Sequence, residues 1–206
     1  MRNINTVIFD LGGVLIDWNP EYVFLDAFEG DTTKMQWFLN NICTMAWNEN
    51  QDAGYPLEKA TTDLVEKFPE HEKYIRMYYG EWEKMLGGPI GGCVSILNSL
   101  VDNKDYKVVA LTNWSSETFP IAKKRYEFLS WFEGIVVSGE EKTRKPFKEI
   151  YQIAIQRFDL IPEKTVFIDD NILNIEAANA LGIKGIHFKN PAQLISELEK
   201  YNIQLS

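Results

Sequence analysis

Short apolar runs, each closing on a polar or small residue, recur along this chain and set its architecture. Val7-Ile8-Phe9 runs into Asp10 and then Leu11-Gly12-Gly13-Val14-Leu15, and Lys107-Val108-Val109-Ala110-Leu111 runs into Thr112-Asn113. Gly134-Ile135-Val136-Val137 runs into Ser138, Thr165-Val166-Phe167-Ile168 into Asp169-Asp170-Asn171, and Lys184 to Phe188 forms a last run. Apolar runs without polar alternation suit strands covered on both faces. Between them, helices are expected at Ser115 to Tyr126, Pro146 to Phe158, Ile172 to Leu181 and Pro191 to about Lys200, with Gly182 placed as a helix-ending glycine. Strands alternating with helices predict an α/β fold: a doubly wound, Rossmann-like parallel sheet with helices on both faces.

From Asn19 to about Leu86 the pattern changes. No comparable β-branched run occurs there, and aromatic residues are frequent. Asn19-Pro20-Glu21 supplies a capping side chain, a proline at the first helical position and an acid in the first turn. Glu58 to Phe68 and Glu70 to Met85 carry helical periodicity, and Gly87-Gly88-Pro89-Ile90-Gly91-Gly92 is expected to be a flexible return. The expectation is therefore a helical cap domain at residues 16–89, inserted into a core made of residues 1–15 and 90–206. Trp18, Trp37 and Trp82 are expected to be core residues. Trp47, Asn48, Glu49, Asp52 and Tyr55 suit either a hydroxyl-rich ligand or the packing of the cap itself.

Composition narrows the function. The chain has 206 residues, 45% hydrophobic and 25% charged, which is ample for a core. Its net charge of −9 disfavours nucleic acid as a partner. No apolar stretch is long enough to span a membrane. The first six residues lack an apolar signal region, so a cytoplasmic location is expected. Cys43 and Cys93 are in no metal spacing and are expected to be buried free thiols. With only His71 and His187, a zinc site or a Ser-His-Asp hydrolase is disfavoured. No pattern fixes the oligomeric state.

In open α/β sheets, ligands bind beyond the carboxyl ends of the strands, where strand order reverses. Four such places carry polar residues here: Asp10, Thr112-Asn113, Lys145 ahead of Pro146, and Asp169-Asp170-Asn171. Singly, each has an ordinary explanation as a turn, a cap or loop punctuation. Together they suit phosphoryl transfer. A phosphate dianion repels a carboxylate nucleophile, and Mg²⁺ held by one or two carboxylates offsets that repulsion. Asp10, Asp169 and Asp170 supply hard oxygen. The Thr112 hydroxyl, Asn113 and the Leu11 and Gly12 backbone amides are candidate donors to phosphoryl oxygens, and Lys145 is a fixed charge.

These motifs resemble the haloacid dehalogenase (HAD) superfamily, in its subgroup with a helical cap after the first motif. Phe9-Asp10-Leu11-Gly12-Gly13-Val14-Leu15, Leu111-Thr112-Asn113-Trp114, Lys145-Pro146 with Ile150-Tyr151, and Val166 to Asn171 with Asn174-Ile175-Glu176 match its four motifs in order. Asp-Leu-Gly and Asp-Asp-Asn are most similar to bacterial sugar-phosphate phosphatases. The resemblance implies that Asp10 attacks phosphorus and forms an aspartyl-phosphate. It implies Mg²⁺ ligands at the Asp10 carboxylate, the Gly12 carbonyl and Asp170, with Asp169 ligating directly or through water. Thr112 and Asn113 would bind the phosphoryl group, and Lys145 would stabilise Asp10. The expected partner is a small phosphorylated metabolite, with sugar phosphates the favoured class.

Gly12 departs from the pattern, because family phosphatases usually place a second Asp there as general acid and base. Such help is typically worth ~10²–10⁴ in rate. Three consequences stay open: substrates with good leaving groups, another proton carrier (Asp17, Glu49 or Asp52), or a slow or inactive relative. Two further readings remain, a 2-haloacid dehalogenase-like hydrolase and a non-catalytic binding protein. The Asp169-Asp170 pair argues against the first, since extra carboxylates beside a carboxylate nucleophile need a compensating cation.

Overall fold

The computed structural model describes residues 4–205; residues 1–3, on which part of the expectation about a signal region falls, and residue 206 lie outside the described residues. In chain order, β1 (Thr6–Phe9) and β2 (Ile16–Trp18) are followed by α1 (Glu21–Ala27), α2 (Thr32–Asn41), α3 (Met45–Asp52), α4 (Leu57–Lys67) and α5 (Glu72–Gly80). Next come β3 (Leu86–Pro89), α6 (Gly91–Asp102), β4 (Lys107–Thr112), α7 (Phe119–Arg125), β5 (Ile135–Val137) and α8 (Ser138–Glu141). The chain closes with α9 (Lys148–Arg157), β6 (Thr165–Asp169), α10 (Ile172–Ala180), β7 (Lys184–His187) and α11 (Pro191–Lys200).

A five-stranded sheet in the order β5-β4-β1-β6-β7 forms the centre, and every pairing in it is parallel. Its strands are apolar in their middle positions because both faces are covered. The pleat sends Val7, Phe9, Val108, Ala110, Val166 and Ile168 to one face, where they pack with α6 and α11 residues such as Leu97 and Leu194. Ile8, Val109, Leu111 and Phe167 point to the other, against Ile150 and Tyr151 of α9 and Ile175 of α10. This is the doubly wound arrangement expected from the alternation. β1 lies between β4 and β6, so the strand order reverses at its carboxyl end.

Helices α1 to α5 lie between β2 and β3, which form a separate antiparallel pair. Their core is aromatic: the Phe24, Phe38 and Tyr78 rings pack with centroids 5.1 and 6.0 Å from Phe24. Asn19 Oδ1 accepts from the Glu21 amide at 2.9 Å, so the expected start of α1 forms as its chemistry dictates. Gly182 ends the run after α10 with φ +86°.

Four expectations change. The glycine-rich return is ordered, since Leu86–Pro89 is β3 and Gly91 opens α6. A Cβ on Gly92 would lie 2.7 Å from Pro191 Cβ, so this glycine permits close packing of α6 on α11. The helix expected from Ser115 begins only at Phe119, and the stretch from Glu70 to Met85 divides into α5 flanked by 3-10 turns. Trp37 is half exposed, because α2 buries Met35 and Phe38 and turns residue 37 outward. Cys43 and Cys93 are buried and free.

Candidate active site

The carboxyl ends of β1, β4 and β6 and the loop before α9 meet at one cleft of about 370 Å³. Asp10 follows β1 directly, and its amide donates to the Ile168 carbonyl at 2.8 Å, so β6 carries the register one residue past the strand. Gly13 then turns the chain at φ +72°. A Cβ there would fall 2.2 Å from Asp170 Oδ2, so glycine lets the two loops close together. At Gly12 a Cβ would meet nothing within 4 Å, and no crowding excludes a side chain.

Lys145 is fully buried and bridges two carboxylates. Its Nζ lies 2.8 Å from Asp10 Oδ1 and 2.7 Å from Asp169 Oδ2. Asn113 holds the Lys145 backbone from both sides: Oδ1 accepts from its amide at 2.8 Å, and Nδ2 donates to its carbonyl at 3.0 Å. Asp169 is saturated. Asn174 Nδ2 donates to both of its oxygens at 3.0 Å, and the Asn171 amide donates to Oδ1 at 2.8 Å. Tyr151 in turn donates to the Asn174 carbonyl at 2.9 Å, which ties this support to the α9 face of the sheet.

Charge here is unbalanced. Burial pushes Asp10 up to about 8, Asp169 adds to the rise, and Lys145 only partly offsets it. Burial alone would lower Lys145, but Asp10 and Asp169 hold it above its ordinary value. Burial and Asp169 raise Asp170 as well. Three carboxylates facing one ammonium leave negative charge that a cation would relieve. Oxygen atoms of Asp10, Asp169 and Asp170 lie within 4.8 Å of one another. This all-oxygen donor set, with Gly13 leaving room for Asp170, fits a hard divalent cation.

The remaining expected site residues fall into place unevenly. Leu11 is buried, and its amide donates to Asp10 Oδ1 at 2.7 Å instead of standing open toward the cleft. Thr112 is buried at the end of β4, and its hydroxyl has no partner among the described residues. Gly12, Asn113, Lys145 and Asp170 line the cleft with Asp10. The α3 face forms the opposite wall through Asn48, Glu49 and Asp52. Trp47 and Tyr55 do not join them: they line a separate hollow of about 710 Å³ beside α4. Trp82 is buried in the core as expected and Trp18 packs partly buried against it, and both also line the active cleft. Trp82 meets Trp114 edge to face at 5.7 Å. Asn174 is visible in the sequence only as part of a motif, and no pattern singles out Tyr79 or Trp82 as cleft residues.

The profile of the family described as Haloacid dehalogenase-like hydrolase matches residues 7–188. The chain belongs to this family. It is a HAD hydrolase, and several of its relatives carry phosphatase names. It is 26% identical over 199 residues to the sesquiterpene phosphatase astK of Aspergillus oryzae, covering 94% of each chain. To the phosphorylated carbohydrates phosphatase of Thermotoga maritima it is 22% identical over 187 residues, covering 89% of this chain and 84% of the other. A HAD family enzyme from Bacteroides thetaiotaomicron, crystallised as a mutant with magnesium and inorganic phosphate, shares the fold. It superposes with a TM-score of 0.70 at 21% identity, over 91% of this chain and 95% of that one. No helix among the described residues of this HAD hydrolase is long and apolar enough to cross a membrane.

Proposed function

We propose that this HAD hydrolase is a Mg²⁺-dependent phosphatase of small phosphomonoesters, with sugar phosphates the favoured class, and that it works in the cytoplasm. Helical segment 16–89 serves as its cap. The reading is carried by one observation: three carboxylates and one buried ammonium converge at the carboxyl ends of β1 and β6. Two extra carboxylates beside a nucleophile need a compensating cation, which attack on carbon does not require and cation-assisted attack on phosphorus does.

In this mechanism Asp10, Asp170 and the Gly12 carbonyl hold Mg²⁺, and the saturated Asp169 acts through Lys145 and through water. When bound, the cation neutralises phosphoryl charge and so lets one anion approach another. Lys145 orients the Asp10 carboxylate and stabilises the charge that arrives on it. Asn113 spends its Oδ1 and one Nδ2 proton on the Lys145 backbone, which positions that residue, and its second Nδ2 proton is left to donate to the phosphoryl group. The orphaned Thr112 hydroxyl would gain a partner in a phosphoryl oxygen; a buried polar group left unpaired costs roughly 1–3 kcal/mol. The Leu11 amide would change partner from Asp10 Oδ1 to phosphoryl oxygen as the carboxylate turns to attack. The cleft volume of about 370 Å³ lies at the small end of metabolite pockets.

A phosphometabolite screen with and without Mg²⁺, using Asp10→Asn as the blank, tests the reading. Turnover is expected only with the cation and with Asp10, falling on the order of 10⁵–10⁶-fold in the variant, as for other covalent nucleophiles. Dehalogenation of 2-haloacids that survives chelation would replace the phosphatase reading.

A further inference from the structure

Gly12 leaves the leaving group without the usual proton donor, and three side chains are candidates to replace it. Two are occupied elsewhere. Asp17 does not line the cleft; its Oδ2 accepts from the Tyr22 hydroxyl at 2.6 Å beside Gly87. Glu49 lines the cleft but is paired with Arg144 at 2.8 Å. Asp52 is half-buried at the last turn of α3, lines the same cleft as Asp10, and has no cation bonded to its carboxylate among the described residues.

Resting on the phosphatase reading above, we propose that Asp52 is the proton carrier, serving the leaving oxygen and then the attacking water in place of the absent carboxylate at position 12. Its position is built. Asn48 Nδ2 donates to Asp52 Oδ2 at 2.9 Å, and Tyr79 donates to Asn48 Oδ1 at 3.0 Å, which fixes the rotamer from the α5 side. The Ser138 hydroxyl donates to the Asp52 carbonyl at 2.5 Å and accepts from the Trp114 amide at 2.8 Å. One hydroxyl therefore fastens the Asp52 backbone to the loop that follows β4, next to Asn113. The Ser115 amide of that loop faces the carboxylate. Asp52 thus faces the cleft that Asp10 lines, carried by α3 and not by the sheet that carries Asp10.

The charges around it suit the task. Burial pushes Asp52 up to about 7 and Glu49 adds to the rise, against the Ser115 amide, Arg144 and Lys145. Tyr78 and Tyr79 face it from α5 and stay neutral, since burial raises both hydroxyls. In the first step Asp10 Oδ bonds to phosphorus, the ester P–O bond breaks toward the leaving oxygen, and that oxygen takes the Asp52 proton. In the second, water oxygen bonds to phosphorus and gives a proton to Asp52. The phosphorus–Asp10 bond then breaks, and its electron pair returns to the carboxylate. Inorganic phosphate leaves, and both groups are restored.

Leaving-group dependence tests this. Single-turnover release of the alcohol is measured with Mg²⁺ on a primary alkyl phosphate and on p-nitrophenyl phosphate, whose leaving group needs no proton. Asp52→Asn is expected to lose ~10²–10⁴ on the alkyl ester and less than ~10-fold on the aryl ester. In the native protein the alkyl-to-aryl rate ratio should fall as pH rises through about 7, and in the variant it should be flat. Equal losses on both esters, or a native ratio independent of pH, would overturn the proposal, because a purely structural role moves neither ratio. The native pH profile needs no variant, so a misfolded Asp52→Asn does not remove the test. Native turnover of the aryl ester alone would refute Asp52 and leave the phosphatase reading intact. Turnover by Asp10→Asn, or none by the native protein on either ester, would sink that reading and this one with it.

Discussion

The floor and the far wall of the active cleft are built by different means. The floor draws Asp10, Thr112, Lys145 and Asp169 from distant parts of the chain, and the parallel sheet brings them together. Its ammonium and the Asp169 carboxylate are buried and fully engaged. The wall takes Asn48, Glu49 and Asp52 from a single helix, and polar bonds that tie this side to the core include Ser138 to the Asp52 carbonyl, the Leu57 amide to Glu117 at 2.9 Å, and Arg144 to Glu49. A rigid floor can fix which bond is attacked. A wall on a separate helical segment can be altered independently, and in the proposed mechanism it is the side that would serve the leaving group.

The difference should appear first in stability. Lys145→Met leaves Asp10 and Asp169 buried without their cation, and breaking such a buried pair costs about 3–5 kcal/mol. For a chain of this size that corresponds to a thermal midpoint lower by roughly 6–20 °C. A shift no larger than that of a surface variant would show that the floor is less committed than its geometry implies.

A second effect should follow pH. Burial raises Asp10 to about 8 and Asp52 to about 7. The folded state therefore keeps protons that the unfolded chain has released, so the stability these two groups contribute is fully present below about pH 4 and is lost as pH rises through about 7–8. In chelator, thermal midpoints should fall across this window. Added Mg²⁺, which binds the folded floor, should restore most of the loss at the alkaline end. A midpoint that rises with pH in chelator would contradict the charge imbalance.

The smallest effect belongs to the wall. Glu49→Gln removes a part-exposed pair worth no more than ~1 kcal/mol, a midpoint shift within about 2–4 °C. A larger loss would mean that the helical segment is bound to the core far more tightly than its contacts suggest.

The floor is legible in the sequence because each of its residues ends an apolar run or opens a helix. The runs Val7-Ile8-Phe9 and Val166-Phe167-Ile168 are enough to put Asp10 and Asp169 at strand ends. The support beneath them is harder to see. Nothing in the spacing tells that Asn113 spends its amide on the Lys145 backbone, since that bond spans 32 residues between two loops. The wall is hidden for a different reason. Helix α3 is short and polar and buries Asn48 and Gln51, so it lacks the apolar periodicity that marks a helix. Sequence leaves Asp17, Glu49 and Asp52 all as candidates, and the structure separates them by the place of Asp17 outside the cleft, bonded to Tyr22, and by the pairing of Glu49 with Arg144. The β2–β3 pair has no apolar run to announce it, and Gly92 suggests a hinge because its neighbour Pro191 is 99 positions away.

The central claim is that Asp10 accepts the phosphoryl group. An acid-quenched single turnover in water enriched in heavy oxygen, followed by peptide mass spectrometry, tests it most directly. A phosphoryl group should be found on the Asp10 peptide and be absent in Asp10→Asn, with the heavy oxygen in released phosphate and none in the Asp10 carboxylate. Heavy oxygen in the Asp10 carboxylate, or phosphate released without a phosphorylated Asp10, would contradict the account.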